Sequence, residues 1–357
     1  MSDGALITAE GVRVSFSPRR RGGSPARAVD GVDLDLRPGE IVALVGESGC
    51  GKTTLARALL GLVPLVGGAV TFEGAPLGGS RAALRTFRRR AQLVFQDPSG
   101  SLNPRQSVYE IVAEGLRIHG IRDDEPARVA HALASCGLRP PERYFLRYPH
   151  ELSGGQRQRV VIAGAMVLEP RLLVADEPVS SLDASVRGEI LDLLLGLARD
   201  REMAVLVVTH DLGLAWNIAD RVAVMYLGRI VEIGPTEELL AAPIHPYTKA
   251  LLSVVPEHQG MDEQILTGEA PDPTAIPTGC RFHPRCPVVQ SGEAERLGVV
   301  TACLHHDPAL KVTDGSGHVS GHVSGHGSGH ESGHVAACHA AGLPGERSAG
   351  SVAGRPF

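Results

Sequence analysis

Residues Gly46 to Thr54 read Gly-Glu-Ser-Gly-Cys-Gly-Lys-Thr-Thr. Gly46 and Gly51, then Lys52 and Thr53, fill every fixed position of the phosphate-cradling pattern G-x-x-x-x-G-K-[ST], and Gly49 adds a further glycine between them. Glycines let successive backbone N–H groups curl around an anion, and a helix starting at the lysine adds the positive end of its dipole. Lys52 is then the cation for the β and γ phosphates of a nucleotide, and Thr53 is an oxygen ligand for Mg2+. Glu47, Ser48, Cys50 and Thr54 complete the same loop. The competing reading is a chance Gly-rich turn between a strand and a helix. The flanks argue against it, because the apolar run Ile41–Val45 precedes the loop and a helical run, Thr54–Leu60, follows it.

A second constellation lies downstream. The apolar run Leu172–Ala175 ends in Asp176-Glu177-Pro178. A strand that delivers two carboxylates to the phosphate end of a sheet supplies what hydrolysis requires. Asp176 would orient Mg2+, and Glu177 would polarise the attacking water. Alone, the two acids could be ordinary surface carboxylates in a strand-end turn; beside the phosphate loop they are a matched set.

These groups need a rigid frame, and the rest of the chain provides one. From Leu6 to about Ile233 short apolar or β-branched runs alternate with longer helical patterns, the rhythm of an α/β sheet. Ile41–Val45, Leu172–Ala175 and Ala204–Thr209 are near-continuous apolar runs, as strands covered on both faces require. Between Asp97 and Glu169 there is no such run; helical patterns around Val108–His119 and Glu125–Cys136 mark residues 97–169 as a helical insertion. After Pro235 the pattern weakens into Pro- and Cys-bearing loops, followed by a Gly/Ser/His tract from Asp314 to about His334, read as partly flexible. The 357 residues, 43% hydrophobic, suffice for one large domain and an appendage. The net charge of -5 provides no general drive toward nucleic acid, so none is expected as a partner. The longest apolar stretches fall well short of the roughly 18 to 20 residues that span a bilayer. The N-terminus lacks the order of a secretory signal, so a cytosolic location is expected.

Leu152-Ser153-Gly154-Gly155-Gln156-Arg157-Gln158-Arg159 resembles the signature sequence of ABC ATPases. Ser153 and the amides after it, at a helix N-terminus, can clasp a γ-phosphate. In that family the phosphate is held by the opposite subunit, so the resemblance implies composite sites shared by two chains. It assigns Gln96 to a loop that touches Mg2+ or water and relays nucleotide state, and Asp183, in Ser181-Leu182-Asp183, to a loop crossing the dimer interface. His210, in Val-Val-Thr-His-Asp, resembles the switch histidine that contacts the γ-phosphate. Phe16 stands where the family stacks an aromatic ring on adenine. The implied fold is a P-loop core, a RecA-like sheet with an antiparallel β subdomain and a helical subdomain, spanning residues 1–240. The stretches Val94–Arg105, His245–Leu252 and Ile276–Pro287 resemble the dipeptide, oligopeptide and nickel importer subfamily, which makes residues 241–357 its Cys-containing C-terminal extension. The resemblance implies ATP and Mg2+ as ligands. Its implied partners are a second homologous ATPase subunit, as a heterodimer, two membrane permease subunits and an extracytoplasmic solute-binding protein. The subunit would lie peripherally on the cytoplasmic face of the cell membrane, importing di- or oligopeptides, nickel or another small solute.

The extension holds Cys280, Cys286, Cys303 and Cys338 in a region poor in apolar periodicity. Such a region needs some cross-link to become ordered, and a cytosolic setting disfavours disulfides. Zinc prefers ligand pairs two to four residues apart, whereas five residues separate the first two cysteines. A four-thiolate [4Fe-4S] cluster tolerates varied spacing, and the resembling tails carry such a cluster in some members. Zinc and unliganded thiols stay open as alternatives. His318, His322, His326, His330 and His334 recur every four residues; metal binding and simple repeat expansion both account for them.

Overall fold

Alternate residues of Ile41–Val45 face different layers, which is why no polar residue interrupts the run. Val42 and Leu44 pack with Leu55, Leu59, Leu206 and Val208. Ala43 and Val45 join Val222, Val224 and Tyr226 instead. The computed structural model describes residues 4–17, 23–95, 98–255, 264–269, 272–313, 319–322 and 333–341. Its strands in chain order are β1 (Ile7–Phe16), β2 (Ala26–Leu36), β3 (Ile41–Val45), β4 (Gly67–Phe72), β5 (Ala75–Pro76), β6 (Ala91–Val94) and β7 (Leu172–Asp176). They continue as β8 (Ala204–Thr209), β9 (Arg221–Tyr226), β10 (Arg229–Pro235), β11 (Lys311–Thr313), β12 (Val319–His322) and β13 (Val335–Ala336).

The helices that frame them are α1 (Lys52–Leu59), α2 (Arg81–Arg90), α3 (Pro98–Ser101), α4 (Val108–His119) and α5 (Glu125–Ser135). After them come α6 (Gly154–Met166), α7 (Ala184–Asp200), α8 (Leu212–Ile218), α9 (Thr236–Ala241) and α10 (Pro246–Ser253). The main sheet has the order β12-β11-β13-β10-β9-β3-β8-β7-β6. From β9 to β6 all pairings are parallel, so β3, β7 and β8 end at the same edge. That edge carries the phosphate loop, the two acids and His210. A second sheet, β2-β1-β4-β5, is antiparallel and packs through Val12, Val29 and Val70 against the α1 side of the main sheet. On the opposite face Ile162, Ile190 and Leu194 cover Leu173, Ala175, Val205 and Val207.

The helical segment starts and stops where its residues dictate. Ser107 caps α4 by accepting from the Glu110 amide, and Glu110 accepts in return from the Ser107 amide, a reciprocal box. Gly120 ends that helix at φ 72, a left-handed conformation that costs glycine little. Val112, Leu116 and Leu133, from α4 and α5, bury against Val160 and Ala163 of α6, which fixes the helix that follows Ser153.

Beyond Pro235 the chain is more ordered than its weak periodicity suggests. β13 adds antiparallel to β10, and β11 and β12 continue the sheet beyond it. The carboxylate of Glu232, fully buried, accepts from the amides of Ile244 (2.8 Å) and His245 (2.9 Å) and bonds His334 Nε2 at 2.8 Å. A buried carboxylate persists only when its oxygens are satisfied in this way. His334 therefore departs from the reading of the tract as flexible to its end: it is 6% exposed and tied to the core. His318, His326 and His330 lie outside the described residues. Only the backbone pairing of His322, in β12, is described.

Candidate active site

The loop after β3 is threaded so closely that only glycine fits at two points. A Cβ on Gly46 would lie 2.2 Å from the Met225 carbonyl oxygen, and one on Gly51 2.1 Å from that of Ala28. Both glycines also have positive φ, 151 and 113. Neighbouring backbone is thus the wall of the loop, and any side chain would push it open. Ser48 and Gly49 are exposed at its crest, and Cys50 is buried beneath it. Lys52, 6% exposed, donates from Nζ to the carbonyls of Gly46 (2.7 Å) and Glu47 (2.9 Å), with Cys50 Sγ at 4.0 Å. Its ammonium is held inside the loop. Burial raises the Cys50 thiol above its usual range, an effect that the neighbouring Lys52 opposes. Thr53 and Thr54 open α1.

Thr53 Oγ1 donates to Asp176 Oδ1 at 3.1 Å, bringing two oxygen ligands together across 123 residues of sequence. Burial raises the Asp176 carboxyl above its usual value, against the Thr53 hydrogen bond and Arg57, which lower it. A divalent cation there would favour the charged form. Glu177 takes φ 48, a left-handed conformation unusual for glutamate. Its amide is anchored on the Val208 carbonyl at 2.8 Å, and its carboxylate meets His210 Nδ1 at 3.2 Å. Strain of this kind persists where the surrounding structure fixes it; here parallel β7 and β8 do so. The arrangement aims a carboxylate and an imidazole out of the sheet edge next to the phosphate loop.

A family model described as ABC transporter matches residues 29–180, and one described as oligopeptide/dipeptide transporter, C-terminal region, matches residues 231–292. The oligopeptide transport ATP-binding protein OppF of Salmonella typhimurium is 44% identical over 289 residues, covering 78% of this chain and 86% of its own. The chain belongs to the ATP-binding subunits of ABC transporters, in the oligopeptide/dipeptide family. The putative oligopeptide transport ATP-binding protein YkfD of Bacillus subtilis is 46% identical over 270 residues, covering 73% of this chain and 82% of its own. Among solved structures, cbiO1 of Clostridium perfringens, part of the ABC transporter complex cbiONQ, aligns with a TM-score of 0.61 and 30% identity. That alignment covers 67% of this chain and 92% of cbiO1. This subunit is an ATPase coupled to transport.

In this ABC ATPase the other expected residues have the following places. Ser153 caps α6 in a reciprocal box with Gln156, whose side chain accepts from the Ser153 amide at 3.1 Å. Ser153 and Gly154 are exposed. Gly155 is packed so that a Cβ would lie 2.6 Å from Val186 Cγ1. Asp183 is the exposed residue before α7, and Phe16, 46% exposed, ends β1 opposite Ala26. Gln96 lies outside the described residues.

Sequence reasoning passed over two residues of the extension that reach the phosphate loop. Tyr247 Oη accepts from the Glu47 amide at 2.8 Å, and Arg285 donates to both Glu47 carboxylate oxygens at 2.7 and 3.0 Å. Their signal was their place in the stretches His245–Leu252 and Ile276–Pro287, whose resemblance to the subfamily carried no role for either side chain.

The four cysteines of the extension line one small enclosed cavity with His245, Phe282 and His283. Burial pushes the Cys280 thiol up to about 12, and it raises Cys303 as well. Among the described residues no three His, Cys, Asp or Glu side chains are close enough to hold one metal ion.

Proposed function

We propose that this subunit powers the uptake of dipeptides or oligopeptides, peripherally on the cytoplasmic face of the membrane. Among the described residues no helix is long and apolar enough to cross a membrane, so the reading needs two permease subunits, supplied by an extracytoplasmic binding protein. The observation that carries it is the match of residues 231–292 to the oligopeptide/dipeptide C-terminal region, together with the 44% identity to an oligopeptide transport ATP-binding protein.

Two homologous subunits, most simply this chain and a non-identical partner, close on two ATP molecules. Gly46–Thr54 of one chain cradles the phosphates, and Ser153, Gly154, Gly155 and Gln156 of the other cap the γ-phosphate. Phe16 stacks on adenine, and Asp183 meets the opposite chain. Thr53, Gln96 and Asp176 would hold Mg2+, which when bound would neutralise charge on the transferred phosphoryl group. Glu177 accepts the proton of the attacking water, and His210, bonded to it, senses the γ-phosphate. Loss of that phosphate frees the two faces it joined, and the loosening is passed to the permease near residues 96–119. Reconstituted with its permeases and binding protein, the subunit is expected to drive ATP-dependent accumulation of a labelled tripeptide. Accumulation of nickel with no response to peptide would reassign the solute.

We also infer that Cys280, Cys286, Cys303 and Cys338 hold a [4Fe-4S] cluster. What supports this is their convergence on one enclosed cavity. Zinc is the alternative, disfavoured by the five residues between Cys280 and Cys286 where zinc prefers ligand pairs two to four residues apart. When bound, the cluster would cross-link α10-side and C-terminal segments without taking part in hydrolysis. Anaerobic purification is expected to yield a brown protein with about four irons per chain, absorbing broadly near 400 nm. Cys286→Ser should bleach it. A colourless, iron-free protein, folded and active under the same conditions, would end this reading.

A further inference from the structure

The phosphate loop of this chain is held from outside the sheet that carries it. Glu47, its second residue, gives its amide to Tyr247 Oη and its carboxylate to the Arg285 guanidinium in a two-pronged contact. Tyr247 belongs to α10 and Arg285 to the turn His283–Arg285, immediately before Cys286, so both contacts come from the extension. Neither is a loose surface contact: Tyr247 is fully buried and Arg285 is 8% exposed. Beneath them the rings of Tyr226, Tyr247 and Phe282 pack edge-on or tilted, with centroids 4.7, 5.2 and 5.4 Å apart.

That aromatic cluster alone would suffice to dock the extension by burying apolar area. Taking a guanidinium out of water opposes docking unless it is paired, and here its carboxylate partner is a loop residue. The charged contact is therefore directed at the loop. Its position matters because the Gly46–Glu47 peptide is shared. Its N–H, that of Glu47, is taken by Tyr247, and its carbonyl, that of Gly46, receives Lys52 Nζ, which also donates to the Glu47 carbonyl of the next peptide. The lysine that meets the phosphates thus rests on a peptide whose orientation the extension sets. A further contact reaches the same nucleotide site from the extension: the Pro273 carbonyl accepts from the Arg27 amide at 3.1 Å, one residue from Ala26, the strand partner of Phe16.

The geometry points to Arg285 and Tyr247 as positioning residues for ATP, acting through Glu47 to hold the phosphate loop in its binding form, so that the cysteine-bearing extension sets this subunit's ATP affinity. The inference rests on the ATP site described above. Tyr247→Phe removes one hydroxyl and Arg285→Gln removes the charged fork. In the assembled transporter each is expected to raise KM for ATP about 5- to 20-fold, less than the full cost of a hydrogen bond to a charged group because each contact acts on ATP only through the loop. The kcat should fall far less, and isolated subunits should show the same loss of affinity for a fluorescent ATP analogue. Because Arg285 acts through the Glu47 carboxylate, Glu47→Gln combined with Arg285→Gln should weaken binding no more than the worse single change. Unchanged KM in a folded Tyr247→Phe variant, or a double variant whose losses simply add, would overturn the inference. So would a lowered melting temperature with normal KM, which marks Arg285 as a docking residue only. If Arg285→Gln does not fold, Tyr247→Phe decides alone. Absence of ATP binding by the unsubstituted subunit is a different failure, that of the ATP site itself.

Discussion

Glu177→Gln is expected to lower ATP turnover by about 100- to 10,000-fold while leaving ATP binding intact, the range for losing a general base. Glutamine keeps the shape of the side chain and can still meet His210 Nδ1, which lies 3.2 Å from the carboxylate. The backbone is fixed independently of the side chain, because the Glu177 amide bonds Val208 across the parallel β7–β8 pair. What disappears is the basic oxygen. With hydrolysis blocked and both phosphate-binding faces preserved, ATP should trap a closed dimer, visible as a shift to higher mass in gel filtration. Phosphate release by the assembled transporter measures the turnover. An undiminished rate would remove Glu177 from the role of base and shift attention to the other polar groups at that sheet edge.

The phosphate loop and the sheet were legible for one reason: their signals are local in sequence. Gly46–Thr54 shows its whole pattern in one stretch, and β3, β7 and β8 are apolar runs whose burial on both faces follows from their composition. The extension was not legible because its order comes from partners far away in the chain. Tyr247 lies 200 residues from Glu47 and Arg285 238, and no periodicity links them. Val335–Ala336 is too short to show alternation, and it forms a strand only because β10 offers an edge to pair with. His334 shows the same limit from the other side. Its place in a period-four repeat suggests a surface tract, while the buried Glu232 makes it a core partner. A few large side chains, Tyr247 and Phe282 above all, replace the apolar stripe that a helix or strand would have displayed.

Lys52→Ala and Ser153→Arg are expected to separate holding ATP from closing on it. Lys52 Nζ sits buried within hydrogen-bond distance of two loop carbonyls, and its loss removes the only lysine in the loop. A lost hydrogen bond between charged groups contributes about 1.5–3 kcal/mol, which is about 10- to 150-fold in affinity. The isolated Lys52→Ala subunit should therefore bind ATP weakly, although Tyr247 and Arg285 still hold Glu47 and the fold is kept. Ser153 stands elsewhere, at the exposed start of α6, where its side chain caps its own helix. Arginine there loses the cap, at about 1 kcal/mol of stability, and adds bulk on the face proposed to meet the opposite subunit. ATP binding by the isolated Ser153→Arg subunit should stay within about twofold of normal, because the phosphate loop is untouched. Turnover of the assembled transporter should nonetheless fall by about 100-fold or more, the scale for losing a donor aimed at a transferring group. Titration of each isolated subunit with ATP, followed by phosphate release from the assembled complex, distinguishes the two variants. Equal loss of ATP binding in both isolated subunits would mean that Ser153 serves its own chain's nucleotide, and the composite site would have to be abandoned.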